Sequence, residues 1–441
     1  MNHYFKYVMD HFERLYGPAR HMLDYQGKNP EAKVKLTDCQ TTLFEEKRRI
    51  PESICWKDFE GTRLPFLFHE FTESPIIEAK GESIQVSYDL VAASFYFLSQ
   101  WQEYHGTEKD HYGRFPYETS IQKELGIETL PVVNYYFLIL KRAIEQAYGA
   151  DALSKKPTEP VLFVSHDIDK VATGWKEDGF NALKKGRLPA LFQLALGKLI
   201  GKDTWFNFDR ILKLEKSLGV KSTFFFLVEQ GQRDGISNAD YTLEQKAFAP
   251  VFQHIQQNGA EVALHGSIGS AYDSAMMKNE LHQFDPFGVQ IKGNRFHFLN
   301  FHLQSSLRVV EESGVRYDCS VGFAEHIGFR NSFCHPYYPF NFEEQKAHSF
   351  LEIPLNIMDT TFDQSGYMGL DKELVVKTCE PLIEEVAKFG GCLSVLWHNN
   401  YFSDHKYEGW EKVFSDLINR CKDIGLISKS AIELVEELEA E

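Results

Sequence analysis

No Cys-x-x-Cys pair occurs in this 441-residue chain. Its seven cysteines (Cys39, Cys55, Cys319, Cys334, Cys379, Cys392 and Cys421) are scattered and odd in number. That pattern argues against a disulfide scaffold and suits reduced thiols in a cytoplasm. Positive charge is also short. Lys plus Arg number 47 against 63 Asp plus Glu, a formal charge of −16, which disfavours non-specific binding to nucleic acid or anionic lipid. Long apolar runs are missing too. The stretches 189–201 and 133–144 fall short of about 18 residues and carry Lys198 or Lys141 and Arg142, so no membrane insertion is expected. The opening Met1-Asn2-His3-Tyr4-Phe5-Lys6-Tyr7 lacks the apolar segment of roughly 7 to 15 residues that export requires, and a cytoplasmic protein is expected. What remains, 43% hydrophobic, 25% charged and 14% aromatic residues, belongs to a folded globular chain and not to a disordered or collagen-like one.

The polar, Pro-bearing stretch 148–160 marks a domain boundary. Before it, 90–104 and 130–146 show helical spacing, while the first eighty residues mix short apolar runs with turns; a smaller α+β domain over 1–156 is expected. After it, apolar runs of strand length alternate with amphipathic segments. The runs are 161–165, 222–228, 261–264, 290–299, 315–320, 351–358 and 392–397, and the helices are expected at 208–218, 250–258, 304–313, 372–389 and 411–422. Repeated strand-then-helix order predicts a parallel α/β sheet, and seven such units over 157–441 suit a distorted, TIM-like (β/α)7 barrel.

Polar residues fall where a barrel would use them. One run ends in Ser165-His166-Asp167-Ile168-Asp169, another in His265 and a third in His398, all at strand C-terminal ends, which converge on one face of such a barrel. Alternation puts Asp167 and Asp169 on one strand face and His166 and Ile168 on the other. Two carboxylates aimed at one place repel unless a cation or proton intervenes. A metal with histidine co-ligands would hold one ionised while the other works as a base. An isolated Asp-x-Asp can equally cap a loop.

These residues resemble the polysaccharide deacetylases of the NodB-homology type, carbohydrate esterase family four, over about residues 160–441. The resemblance implies that Asp167 is the general base and Asp169 a metal ligand. The family's His-Ser/Thr-x-x-His motif supplies two further ligands. Here His265-Gly266-Ser267-Ile268-Gly269 has Gly269 in place of the second histidine. A substitute is expected in His297, which shares a strand face with Arg295 in Arg295-Phe296-His297, so the expected divalent-metal site, zinc by resemblance, is Asp169, His265 and His297. The segment 293–299 is similar to the motif whose Arg orients the base, implying Arg295 for Asp167; otherwise Arg295 is a surface salt bridge and His297 a hydrogen-bonded core histidine. Ser394-Val395-Leu396-Trp397-His398-Asn399-Asn400 is similar to the late motif whose histidine protonates the leaving group. Asp359 either orients that His398 imidazole or caps a helix. Arg330, Trp397 and Asn399 are candidate sugar contacts. Segments 95–104 and 110–115 are similar to a domain found ahead of such deacetylases, for which the resemblance implies no role.

The expectation is therefore a hydrolase that removes N-acetyl groups from an amino sugar or its polymer, with a carbohydrate partner and no nucleic acid. The alternatives are a non-catalytic carbohydrate-binding protein on the same barrel, which Gly269 favours, and a metal-independent amidase or esterase.

Overall fold

The seven apolar runs all enter one curled sheet. The computed structural model describes residues 3–155, 158–233 and 235–440. Its barrel strands are β1 (Val161–Ile168), β2 (Ser222–Leu227), β3 (Glu261–Gly266), β4 (Gly293–Phe296), β5 (Tyr317–Asp318), β6 (Leu351–Glu352), β7 (Ile357–Met358) and β8 (Cys392–Leu396). Their order in the sheet is β6-β5-β4-β3-β2-β1-β8-β7, and every pair is parallel. The two end strands are consecutive pieces of the run 351–358, so one segment pairs with β5 at its start and with β8 at its end. Between them the Ile353 N–H donates to the Asp318 carbonyl at 2.9 Å and the Asn356 N–H to the Ser394 carbonyl at 3.2 Å. This broken stave curls the sheet into a distorted barrel of seven staves.

Every residue of β1 and of β2 is buried, as expected of parallel strands covered on both faces. Crossover helices supply the cover: α1 (Phe208–Leu218), α2 (Gln245–Gln257), α3 (Ser306–Ser313), α4 (Lys372–Phe389) and α5 (Trp410–Asp423). Each buries one stripe; in α5 it is Val413, Phe414, Leu417, Ile418 and Cys421. Helix α2 starts ahead of the expected position, because Pro250 lies inside it instead of opening it. Two helices, Gly174–Lys184 and Leu188–Leu199, fill the connection from β1 to α1. No helix among the described residues is long and apolar enough to cross a membrane.

The chain forms two compact units. One holds the described residues of Met1–Asp110, Phe115–Thr158 and Phe329–His348; the other holds His111–Arg114, Glu159–Gly328 and Ser349–Glu441. The division expected between 156 and 157 lies outside the described residues. Two exchanges carry no compositional signal: 329–348 group with the first unit and 111–114 with the barrel. The first unit is α+β. It has a mixed sheet in the order Leu23–Tyr25, Val34–Leu36, Ser83–Val86, Ile77–Lys80, a hairpin of Ile54–Phe59 with Thr62–Leu67, and helices His3–Tyr16, Leu90–Leu98 and Val132–Tyr148. Leu90–Leu98 is buried throughout and is capped by Asp89, which accepts from the Ala92 N–H at 2.9 Å.

Candidate active site and metal centre

Strand alternation aims Ser165, Asp167 and Asp169 of the β1 end into the barrel. Arg295 of β4, in register with His265 of β3, points the same way. Arg295 Nη1 donates to Asp167 Oδ1 and to Ser165 Oγ, each at 2.8 Å, and its Nε donates to the Cys319 carbonyl at 3.0 Å. The guanidinium lies 4.4 Å over the Phe225 ring. Arg295 is fully buried and Asp167 nearly so, which rules out a surface salt bridge. Burial works against the Arg295 charge, yet the Asp167 carboxylate raises its pKa further. A buried pair of this kind is costly to break, so each partner holds the other in place.

Three donors meet beside that pair. His265 Nδ1 is 2.8 Å from the Arg295 carbonyl, and His297 Nε2 is 3.0 Å from the Ser237 carbonyl. Carbonyls only accept, so both nitrogens carry the hydrogen and the remaining ring nitrogens present lone pairs. Those lone-pair atoms, His265 Nε2 and His297 Nδ1, face each other at 3.1 Å. Asp169 Oδ1 lies 3.3 Å from the first and 3.4 Å from the second, and it is buried without a hydrogen-bond donor. Three acceptors in mutual contact call for a positive centre. Zinc bonded tetrahedrally at about 2.0–2.1 Å sets its donors about 3.3–3.4 Å apart, close to the spacings seen here. The residues therefore fit a divalent cation. Burial opposes ionisation of Asp169, but His297, His265 and His398 hold its carboxyl well below the usual range. Burial lowers His297 to about 4, in keeping with a neutral ligand ring. Burial likewise opposes the charge on His265, while Asp167 and Asp169 lift it above its ordinary value, so without a cation a proton on His265 relieves the same crowding.

The turn after β4 aims His297. Phe298 and Leu299 take φ of +58° and +53°, a left-handed bend that side-chain-bearing residues adopt at a cost of about 1–3 kcal/mol each. The sequence-distant tetrapeptide 111–114 braces that bend. Tyr112 stacks on Phe298 at 4.7 Å and 15°, Arg114 Nη1 donates to the Phe298 carbonyl at 3.1 Å, and Asn300 donates to the Tyr112 carbonyl.

His398 follows β8. Its Nδ1 donates to Asp359 Oδ1 at 2.8 Å, its backbone N–H donates to Asp359 Oδ2 at 2.5 Å, and its Nε2 is 3.8 Å from Asp169 Oδ2. Asp359 also accepts from the Thr360 N–H at 2.6 Å, so it serves the imidazole and the first turn of a short helix together. Burial disfavours the imidazolium, but Asp359, Asp169 and Asp167 push His398 up to about 10.

Asp167, Asp169, His265, Arg295, His297, Asp359 and His398 are thus brought together by these contacts, and the cavity at the barrel mouth is lined by five of them. Two other candidates need correction, and a third lines the cavity. Trp397 is fully buried against Trp410 and Phe414, because alternation turns it away from the His398 side. Arg330 belongs to the other compact unit, where its Nε and Nη2 hold Glu103 at 3.1 and 2.5 Å. Asn399 lines the cavity, but its amide donates to the Lys170 and Trp205 carbonyls at 2.9 and 2.7 Å and ties two loops together. Gly269 has φ of +102°, a left-handed conformation that strains any residue with a Cβ, while the Arg233 guanidinium that a Cβ there would meet at 2.7 Å is the movable end of an exposed side chain. Sequence reasoning missed Ser237, which sets the His297 tautomer, and the brace at 111–114. Neither has a local signal.

Residues 3–149 match a family described as a family of unknown function, DUF7033. No curated protein matches the chain. Solved structures to which it is similar include a Mycobacterium smegmatis protein put forward as a polysaccharide deacetylase, at 16% identity, covering 65% of this chain and 95% of that one with a TM-score of 0.41. Puue allantoinase matches at 15% identity over 66% and 95%, with a TM-score of 0.42. BA3943 of Bacillus anthracis, a family-four carbohydrate esterase pseudoenzyme, matches at 12% identity over 64% and 67%, with a TM-score of 0.31. Likeness at this level says nothing of activity. The chemistry rests on the geometry above.

Proposed function

We propose that the barrel is a metal-dependent hydrolase that removes N-acetyl groups from an amino sugar or its polymer. One observation carries the reading: two histidine lone pairs and a buried carboxylate oxygen converge on a point, beside a base and an acid that are already supported by their own partners. Asp169, His265 and His297 would hold the cation, and their N,N,O donor set suits zinc. When bound, the cation supplies Lewis-acid polarisation of the amide carbonyl.

The remaining work falls to the chain. Asp167, aimed by Arg295, takes the proton of the attacking water. His398, charged near neutrality and oriented by Asp359, gives its proton to the departing nitrogen, because an unprotonated amine leaves poorly. Tyr112, Phe298, Tyr367 and Tyr407 line the cavity and offer flat apolar faces of the kind on which sugar rings rest. The −16 charge of the chain favours a neutral acetylated sugar over an anionic polymer.

Acetate release from N-acetylated glucosamine oligomers, measured on zinc-loaded protein, tests this. Wild type is expected to release acetate, Asp167→Asn to lose that activity, and His297→Ala to lose both activity and bound zinc. A chelator-treated protein that remains fully active would favour the metal-independent amidase. Equal activity in wild type and Asp167→Asn would overturn the assignment.

A further inference from the structure

The pair of helices between β1 and α1 does not behave like the rest of the barrel's cover. Of thirteen large hydrophobic side chains exposed among the described residues, seven lie between Phe180 and Ile200. Leu188–Leu199 buries only Leu194 among its twelve residues. Leu188, Phe192, Leu196 and Leu199, at helical spacing, are 63%, 71%, 49% and 82% exposed, and Phe180 and Leu183 extend the apolar surface onto the neighbouring helix. The inner face needs none of them. The helices meet through Gly179 and Ala182, with a Cβ on Gly179 falling 3.4 Å from Leu191.

Charge on this hairpin also runs against the whole. Residues 174–202 hold six basic side chains (Lys176, Lys184, Lys185, Arg187, Lys198 and Lys202) and two acids, Glu177 and Asp178, in a chain of net charge −16. Asp178 is buried, accepting from Thr204 and Ser403 at 2.7 and 2.6 Å. Glu408 takes up Lys185 and Arg187, and Glu177 pairs with Lys406. Lys176, Lys184, Lys198 and Lys202 have no ion pair among the described residues.

We infer that this hairpin is a monotopic membrane-docking element that seats its Phe–Leu–Ile face in the headgroup region of a bilayer containing anionic lipid. An apolar face rimmed by lysines is the composition that binds such interfaces, the apolar side chains inserting while the ammonium groups meet lipid charge. A second copy of the chain is a poorer occupant, since two such faces would bring lysines against lysines. The overall acidity that disfavours anionic lipid for the chain at large does not extend to this surface.

Flotation of the full chain with vesicles tests the inference independently of catalysis. Vesicles of phosphatidylcholine with 30% phosphatidylserine should carry wild type up the gradient at low salt, and phosphatidylcholine alone should not. The triple variant Phe192→Ser, Leu196→Ser, Leu199→Ser should lose at least tenfold in partitioning with its melting temperature kept, because these side chains are exposed. Lys184→Glu with Lys198→Glu should lose binding to the anionic vesicles with the apolar face intact. Failure of wild type to float, equal flotation with neutral vesicles, or undiminished flotation of the triple variant would overturn it. So would a wild-type dimer that the triple variant makes monomeric in the absence of vesicle binding.

Discussion

Two histidines in one cavity are held in opposite states. His297 is lowered to about 4 by burial, and His398 is raised to about 10 by carboxylates that outweigh its burial. His297 gives its hydrogen to a neutral backbone carbonyl and shares Asp169 with a competing ring, His265. His398 has Asp359 to itself, an acid already fixed by two backbone donors. The balance between burial and nearby carboxylates separates a ligand from an acid, and the partner on the far nitrogen fixes the ring's tautomer and orientation. At His297 burial outweighs the nearby carboxylate, while at His398 the carboxylates of Asp359, Asp169 and Asp167 outweigh burial.

The sharpest break of that comparison is the pair of alanine variants. His297→Ala should drop bound zinc, read by atomic emission, well below one equivalent and cut activity about 10⁴-fold. His398→Ala should keep the zinc and lower kcat about 10²–10⁴-fold. If both lose metal, or neither does, the two roles are not distinct. Asp359→Asn tests the acid alone. Removing the carboxylate that raises His398 lowers its pKa, so the imidazolium is lost earlier as pH rises and the alkaline limb of the rate profile should move about one unit or more towards neutrality. An unmoved limb would mean that His398 is not the titrating acid. Arg114→Ala frees the turn behind His297 and should weaken zinc affinity about tenfold, the scale expected of a supporting partner, with the His398 limb unmoved. Smallest is Gly269→His. It should leave zinc affinity unchanged and cost about 1–2 kcal/mol of stability in thermal unfolding, since the positive φ opposes a side chain.

Much of the barrel was legible because its signals are local. All seven apolar runs contribute strands, and 208–218 and 372–389 match helices to the residue. The stretch 174–184 passed unread, since its exposed Phe180 and Leu183 break the apolar-in, polar-out pattern that identifies a helix. Candidate site residues were readable where strand alternation alone decides direction, as for Asp167 and Asp169. Two arginines show where that stops. Arg295 and Arg330 are both buried and both paired to a carboxylate, yet one holds Asp167 and the other holds Glu103 in a different unit. Sequence spacing carries no information on which partner a long side chain reaches.

By itself, the sequence determined which residues end the strands and which face each occupies, because a strand's period of two is set by neighbouring peptide units. It also determined the repeated strand-then-helix order from which a parallel barrel follows. Only the tertiary structure decided that His297 turns its Nδ1 towards His265 and Asp169, that Ser237 holds its far nitrogen, and that residues 111–114 brace its turn. Those choices depend on hydrogen bonds between segments up to 184 residues apart, whose energies exist only once the chain has closed on itself.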